Sequence, residues 1–217
     1  MIDTVLNPII TSPKLPLYFR QLEQMLAHEQ QERQSFYNQI NEDDKAEFIN
    51  GEMVFHSPVR LWHYRAGKRL LVLLDTFVQK HDLGLVGYEK LMISLSRNDY
   101  EPDLCYFRKE KTDRFAPDQM RFPAPDLVVE ILSESTEQRD RGVKMEDYAL
   151  HGIDEYWLID PETEIVEQYL RQGDAYDLHL KLNAGSLESQ VIPSFAIPVR
   201  AIFDDEVNRQ TLAEMYL

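Results

Sequence analysis

An acid in the middle of an apolar strand is the first chemical signal in this sequence. Glu130 sits between Val129 and Ile131 in the run LVVEIL. A carboxylate at such a place is strongly disfavoured unless a cation answers it. Asp103 stands at the head of a second apolar run, DLCYF, directly after Pro102. Asp126 follows Pro125 and opens the Glu130 run itself. Strand period two puts Asp126, Val128, Glu130 and Leu132 on one face. Asp126 and Glu130 then stand ~13 Å apart, at about 3.3 Å per residue, which is long for sharing one ion. Asp103, on a neighbouring strand, is the better partner for Glu130.

Carboxylates from adjacent strands suit Mg²⁺ or Mn²⁺. Such ions take hard oxygen ligands, one or two from protein and the rest from water and substrate phosphate. The ion polarises a phosphodiester and lowers the pKa of an attacking water. A nearby Lys stabilises the charge that develops. Lys144 lies one helix downstream of Glu130 and shares a helix face with Tyr148 at i+4. Other arrangements also account for these residues. Pro-Asp pairs open turns, Lys144 could be solvated, and a buried Glu130 could be neutralised by an Arg or a Lys.

Composition narrows the classes of function. Acidic residues outnumber basic ones 38 to 23, a net charge of −15, which works against extended contact with nucleic-acid phosphates. Local basic clusters exist at Lys109, Lys111, Arg114 and Arg121, and at Arg139, Arg141 and Lys144. Each cluster taken alone reads as solvated loop charge. A single cysteine, Cys105, excludes a disulfide framework and a thiolate zinc cluster within the chain. Its apolar neighbours make it a packed, inert thiol. No stretch approaches the ~20 apolar residues of a membrane helix. The first residues lack a basic start followed by an apolar run, so a secretory signal is not expected and a cytoplasmic location is. There is no Gly-rich phosphate loop, dinucleotide fingerprint or Gly-x-Ser-x-Gly elbow.

The elements that must position the acids can be read from periodicity. Residues 1–45 form an N-terminal helical extension, with a narrow stripe of Phe19, Leu22, Met25, Leu26 and Glu29 at helical spacing. It is expected to dock on the domain or on a partner. Residues 46–217 form the main domain. Phe48, Ile49, the turn pair Asn50-Gly51, Met53 and Phe55 predict a hairpin. Leu70, Leu73, Leu74, Phe77 and Val78 predict an amphipathic helix within Leu61–His81, closed near Gly84. Strands follow at Leu85–Leu95, Pro102–Arg108 and Leu127–Leu132, the last buried on both faces. Ser135-Thr136-Glu137-Gln138 predicts a capping box and a helix through Tyr148 that ends at Gly152. EYWLID is a further strand. Ile165–Leu170 and Tyr176–Leu182 predict a hairpin, and the tail with Pro193 and Pro198 is expected to return along the surface. The class is α/β, or α+β with a mixed sheet.

The stretches PDLVVEILSEST and RDRGVKMEDYALHGIDEYWLIDPE resemble the Uma-type putative restriction-endonuclease family of the PD-(D/E)xK nuclease superfamily. NGEMVFHSP and EPDLCYF fit its layout, and the likeness covers about residues 46 to 203. It implies a restriction-endonuclease-like αβββαβ core, in agreement with the element order, with an added C-terminal hairpin. It implies that Asp103 is the Asp of the PD motif and Glu130 the acid of (D/E)xK. The Lys expected two residues on is Leu132, and the family places a Lys on the following helix, where Lys144 stands. Glu52 and Glu89 could add a ligand, and Asp126 resembles a family-typical residue. His63 also matches a position often held by His, with a satisfied surface or core histidine as the plainer expectation. The implied activity is Mg²⁺-dependent (or Mn²⁺-dependent) hydrolysis of DNA; a homodimer is expected because duplex cleavage needs two sites, and a symmetric pair could equally be structural. A nuclease fold that binds or assembles without cutting is the alternative, and a nuclease for RNA or single strands a third.

Overall fold

A computed structural model describes residues 5–41 and 44–216. The expected extension, residues 1–45, therefore includes positions 1–4 and 42–43, which lie outside the described residues. The chain forms two compact units, Met1–Phe55 and His56–Leu217.

In the first unit, a single turn, α1 (Asn7–Ile10), precedes the long helix α2 (Leu15–Gln39). Strands β1 (Ala46–Ile49) and β2 (Glu52–Phe55) form the expected antiparallel hairpin. Its turn needs positive φ at both central residues, and Asn50 (φ 52°) and Gly51 (φ 88°) supply it. Phe36 of α2 packs on Phe48 of β1, with ring centroids 5.6 Å apart. Phe19, Leu22, Met25 and Leu26 are exposed, and Glu29, the last member of the stripe, is buried.

The second unit is built on a six-stranded mixed sheet. Helix α3 (Leu61–Lys80) is followed by β3 (Gly84–Tyr88), β4 (Met92–Ser94), β5 (Asp99–Tyr100) and β6 (Leu104–Arg108). A turn, α4 (Lys109–Thr112), leads through β7 (Arg121–Phe122) to β8 (Leu127–Ile131). Next come α5 (Glu137–Arg139), a π-helical segment (Asp140–Lys144) and α6 (Met145–Leu150), then β9 (Glu155–Asp160). The hairpin β10 (Ile165–Gln172) and β11 (Ala175–Leu182) extends the sheet. Strands β12 (Ser186–Glu188) and β13 (Ala196–Pro198) and helices α7 (Arg200–Phe203) and α8 (Asp205–Met215) complete the chain. The sheet order is β11-β10-β9-β8-β6-β3, antiparallel except for the parallel pair β8 and β9. This is the αβββαβ core, with α3, β3, β6, β8, the α5–α6 stretch and β9 in sequence.

The alternation on β8 divides the unit into two layers. Leu127, Val129 and Ile131 join Ala66, Leu70, Leu73 and Leu74 of α3 in the main core. Val128 and Glu130 face the other way, toward the π segment and α6. Gly67 allows α3 this approach, because a Cβ there would meet Ile131 Cδ1 at 2.9 Å.

The structure corrects several local expectations. The single strand foreseen over Leu85–Leu95 is two, β3 and β4. The chain breaks at Glu89 (φ 54°), where the Leu91 N–H bonds back to the Glu89 carbonyl at 2.8 Å. Strands β4 and β5 pair antiparallel, and β4 pairs parallel with β7, which lies between Arg108 and Leu127 where no strand was expected. The capping box does not form. The Ser133 hydroxyl lies 3.0 Å from that of Thr136, and Thr136 makes no side-chain cap. The expected single helix is three pieces, since Gly142 leaves helical geometry (φ −112°, ψ −107°). The tail is core and not surface: Val191, Ile192, Phe195, Ile197, Val199, Ala201 and Ile202 are all buried. Its prolines shape the path, while the apolar residues between them decide the burial.

No helix among the described residues is long and apolar enough to cross a membrane.

Candidate active site

Strand register brings the first two acids together. Leu104 of β6 pairs with Val129 of β8, so Asp103, one step outside β6, stands opposite Glu130. The Asp103 N–H lies 3.5 Å from Glu130 Oε2. Asp103 Oδ2 accepts a hydrogen bond from the Ile131 N–H at 2.8 Å and lies 3.3 Å from His63 Nε2. Each carboxylate is thus anchored by the neighbouring strand.

Glu130 is buried at 3% exposure, and so is Lys144 at 2%. Lys144 Nζ donates to Glu130 Oε1 at 3.0 Å, and the Tyr148 hydroxyl donates to the same oxygen at 2.9 Å. Lys144 Nζ also lies 3.4 Å from Asp140 Oδ1. One cation and one hydroxyl donor thus answer a carboxylate that an apolar strand could not hold alone. Asp140, Lys144, Asp147 and Tyr148 are all buried, at the i, i+4, i+7, i+8 spacing of one helix face. That polar stripe is a signal in the sequence that could have added Asp140 and Asp147 to the candidates. His63, expected as a satisfied histidine, is placed by α3 directly against Asp103.

The remaining candidates lie elsewhere or contribute through backbone. Asp126 is buried and accepts from the Arg108 N–H at 2.8 Å and from Arg108 Nη1 at 3.0 Å, with Lys111 Nζ at 3.1 Å. It locks β6 to the loop before β8. The Glu89 N–H donates to the Asp103 carbonyl at 3.2 Å, and its side chain is exposed. Glu52 opens β2 in the first unit and is exposed. Cys105 is buried, and burial pushes its thiol well above the usual range, as expected of an inert thiol.

The hairpin β10–β11 braces the segment that carries Lys144. Arg141 Nη1 lies 2.6 Å from Glu167 Oε2, and Lys181 Nζ lies 2.8 Å from Glu167 Oε1. Burial by itself raises the Glu167 carboxyl, but Arg141, Lys181 and Tyr169 outweigh it and bring it from 4.5 to about 2. A carboxyl depressed in the fold stabilises above its unfolded pKa and loses that contribution as pH falls through the folded value. Stability from this brace is therefore full at neutral pH and fades between about pH 5 and pH 2. Urea unfolding across that range should show a shallower decline for Glu167→Gln than for the native chain.

Among the described residues no group of three or more His, Cys, Asp and Glu side chains is arranged to hold a metal. The pair Asp103 and Glu130 nonetheless offers the donor chemistry that Mg²⁺ takes, since such sites use one or two carboxylates and complete the shell with water and phosphate.

Comparison with known proteins follows the same lines. A family model described as "Putative restriction endonuclease" matches residues 28–200. A crystal structure described as "a putative nuclease belonging to DUF820 from Anabaena variabilis" superimposes with a TM-score of 0.66 at 18% identity, covering 82% of this chain and 96% of that one. At that identity the likeness establishes the fold. No curated protein matches the chain.

Proposed function

Because the chain belongs to the Uma2 putative restriction endonuclease family, we propose that it is a metal-dependent endonuclease that hydrolyses phosphodiester bonds in DNA. The observation that carries this reading is the convergence of Lys144 Nζ on Glu130, at 3.0 Å, beside the in-register Asp103. Leu132, where an amine would usually stand on the strand, is apolar and buried. Lys144, on the helical segment that follows the strand, supplies a cation at Glu130 instead.

Asp103 and Glu130 would hold Mg²⁺ or Mn²⁺, which when bound polarises the phosphodiester and lowers the pKa of water. The Ile131 N–H and His63 fix the Asp103 carboxylate. Tyr148 fixes that of Glu130 and leaves Oε2 on the Asp103 side. Lys144 stabilises negative charge gathering on the phosphate oxygens during attack. Glu130 orients the water.

Recognition of nucleic acid is supported by the first turns of α3. Trp62 and Tyr64 flank His63 and are exposed, with Arg60 5.2 Å from the Trp62 ring and Lys68 6.0 Å from the Tyr64 ring. Aromatic rings beside cations stack on bases. Cutting both strands of a duplex takes two copies of the site, so a homodimer is part of the proposal.

The net charge of −15 favours a second reading, a nuclease-fold module that binds or assembles without cutting. Calorimetry with Mg²⁺ and Mn²⁺, paired with nicking of supercoiled plasmid, separates the two. The native chain is expected to bind the ion and nick DNA, and Glu130→Gln to lose both. Ion binding with no cleavage of duplex DNA, single strands or RNA would leave the module.

A further inference from the structure

A second polar cluster stands behind the site, between the β4–β5 hairpin and α6. The Tyr100 hydroxyl donates to Asp147 Oδ2 at 2.8 Å. Asn98 Nδ2 donates to the same oxygen at 2.7 Å and to the Tyr100 hydroxyl at 3.0 Å. His151 Nδ1 lies 3.0 Å from Asp147 Oδ1, and His151 Nε2 accepts from the Ser96 N–H at 3.1 Å. Ser96, Asn98 and Tyr100 belong to the β4–β5 hairpin, while Asp147 and His151 belong to α6 and its end. The cluster therefore ties the hairpin to the helix that follows Lys144.

Tyr100 is the member that reaches the site. Its ring centroid lies 5.8 Å from Lys144 Nζ, and its ring meets Tyr148 edge-on at 5.1 Å. Lys144 and Tyr148 are the two groups that donate to Glu130 Oε1. A lysine has a flexible four-carbon stem, so its ammonium is placed only as well as its surroundings place it. We propose that Asp147 is a positioning residue for the Lys144–Glu130 pair, acting through Tyr100, whose hydroxyl it holds and whose ring limits where Lys144 and Tyr148 can go. Filling the space alone would take only Phe at 100 and Leu at 147. Burying Asn98, Tyr100 and Asp147 with all these hydrogen bonds fixes the orientation of the ring as well as its volume. The function of this positioning rests on the nuclease reading, whereas the positioning itself does not.

The test uses the full chain labelled with ¹³C at lysine Cε. The Lys144 ε-methylene signal, identified by its absence from Lys144→Arg, should be displaced upfield by the Tyr100 ring. Tyr100→Phe keeps the ring and removes the tether, and Asp147→Ala removes the anchor. In both variants the signal should return most of the way to the position of exposed lysines. In plasmid nicking, kcat should fall about tenfold or more while KM holds, since small misplacement of a reacting group is enough for such a loss. Should Asp147→Ala fail to fold, Tyr100→Phe still decides the matter, because it keeps the ring and removes only the hydroxyl. A signal that stays in place in Tyr100→Phe, with kcat unchanged and only the melting temperature lowered, overturns the proposal in favour of plain packing. If the native chain cuts nothing, the nuclease reading fails and the NMR displacement alone decides the positioning.

Discussion

Replacing Lys144 with Met should remove plasmid nicking and at the same time lower the stability of the fold by about 3–5 kcal/mol. Both effects have one origin. Lys144 is the cation at 3.0 Å from Glu130 and 3.4 Å from Asp140, and all three side chains are almost fully buried. Taking away the ammonium leaves two carboxylates facing each other out of water. The folded state must then take up protons or water, and either response weakens it. The double variant Lys144→Met/Glu130→Gln should recover a large part of the lost stability, because a neutral amide tolerates the site better than an unanswered charge. It should recover no activity. Denaturant unfolding of the two single variants and the double variant gives the coupling directly. A coupling near zero would show that Lys144 and Glu130 do not depend on one another, and the site as described would be wrong.

Glu155→Gln should destabilise the chain by about 3 kcal/mol, with metal binding retained in the protein that remains folded. Glu155 is fully buried at the start of β9. Its Oε1 accepts from Trp157 Nε1 at 2.6 Å and from Gln168 Nε2. Its Oε2 accepts from the Ser189 hydroxyl at 2.8 Å, the Gln190 N–H at 2.9 Å and the Val191 N–H at 3.1 Å. One carboxylate thus closes the loop that carries Val191 and Ile192 into the core. A glutamine presents an NH₂ to groups that are themselves donors, so part of this set loses its acceptor inside the protein. Guanidinium titration followed by Trp157 fluorescence measures the loss, and calorimetry with Mn²⁺ below the transition measures the site. Stability equal to that of the native chain would mean that solvent already serves these donors.

These two acids show how far local sequence reaches. Glu130 and Glu155 are both carboxylates in apolar strands, and the same rule marks each as needing an answer. For Glu130 the reading pointed to a metal ligand or to a buried partner, and the structure supplies the partner, Lys144. Glu155 stands out less, because EYWLID reads as a strand that begins with its acid, where solvent is the ordinary neighbour. The donors to its Oε2 come from Ser189, Gln190 and Val191, more than thirty positions away. No window of residues contains that meeting.

The amphipathic helix α3, the β1–β2 and β10–β11 hairpins and the buried run of β8 were legible in the sequence because each follows from residue spacing and turn chemistry within a few positions. The oddity of Glu130 was legible for the same reason. Tertiary structure alone decided that Asp103 stands in register with Glu130, that the helix kinks at Gly142, and that Asp140, Lys144, Asp147 and Tyr148 turn one polar face inward. It also decided that the β4–β5 hairpin backs Lys144 and that the tail fills the core. Periodicity fixes which side of an element is apolar, whereas the pairing of charges depends on strand register and on the phase of a helix against a sheet, and those are set by contacts between segments far apart in the chain.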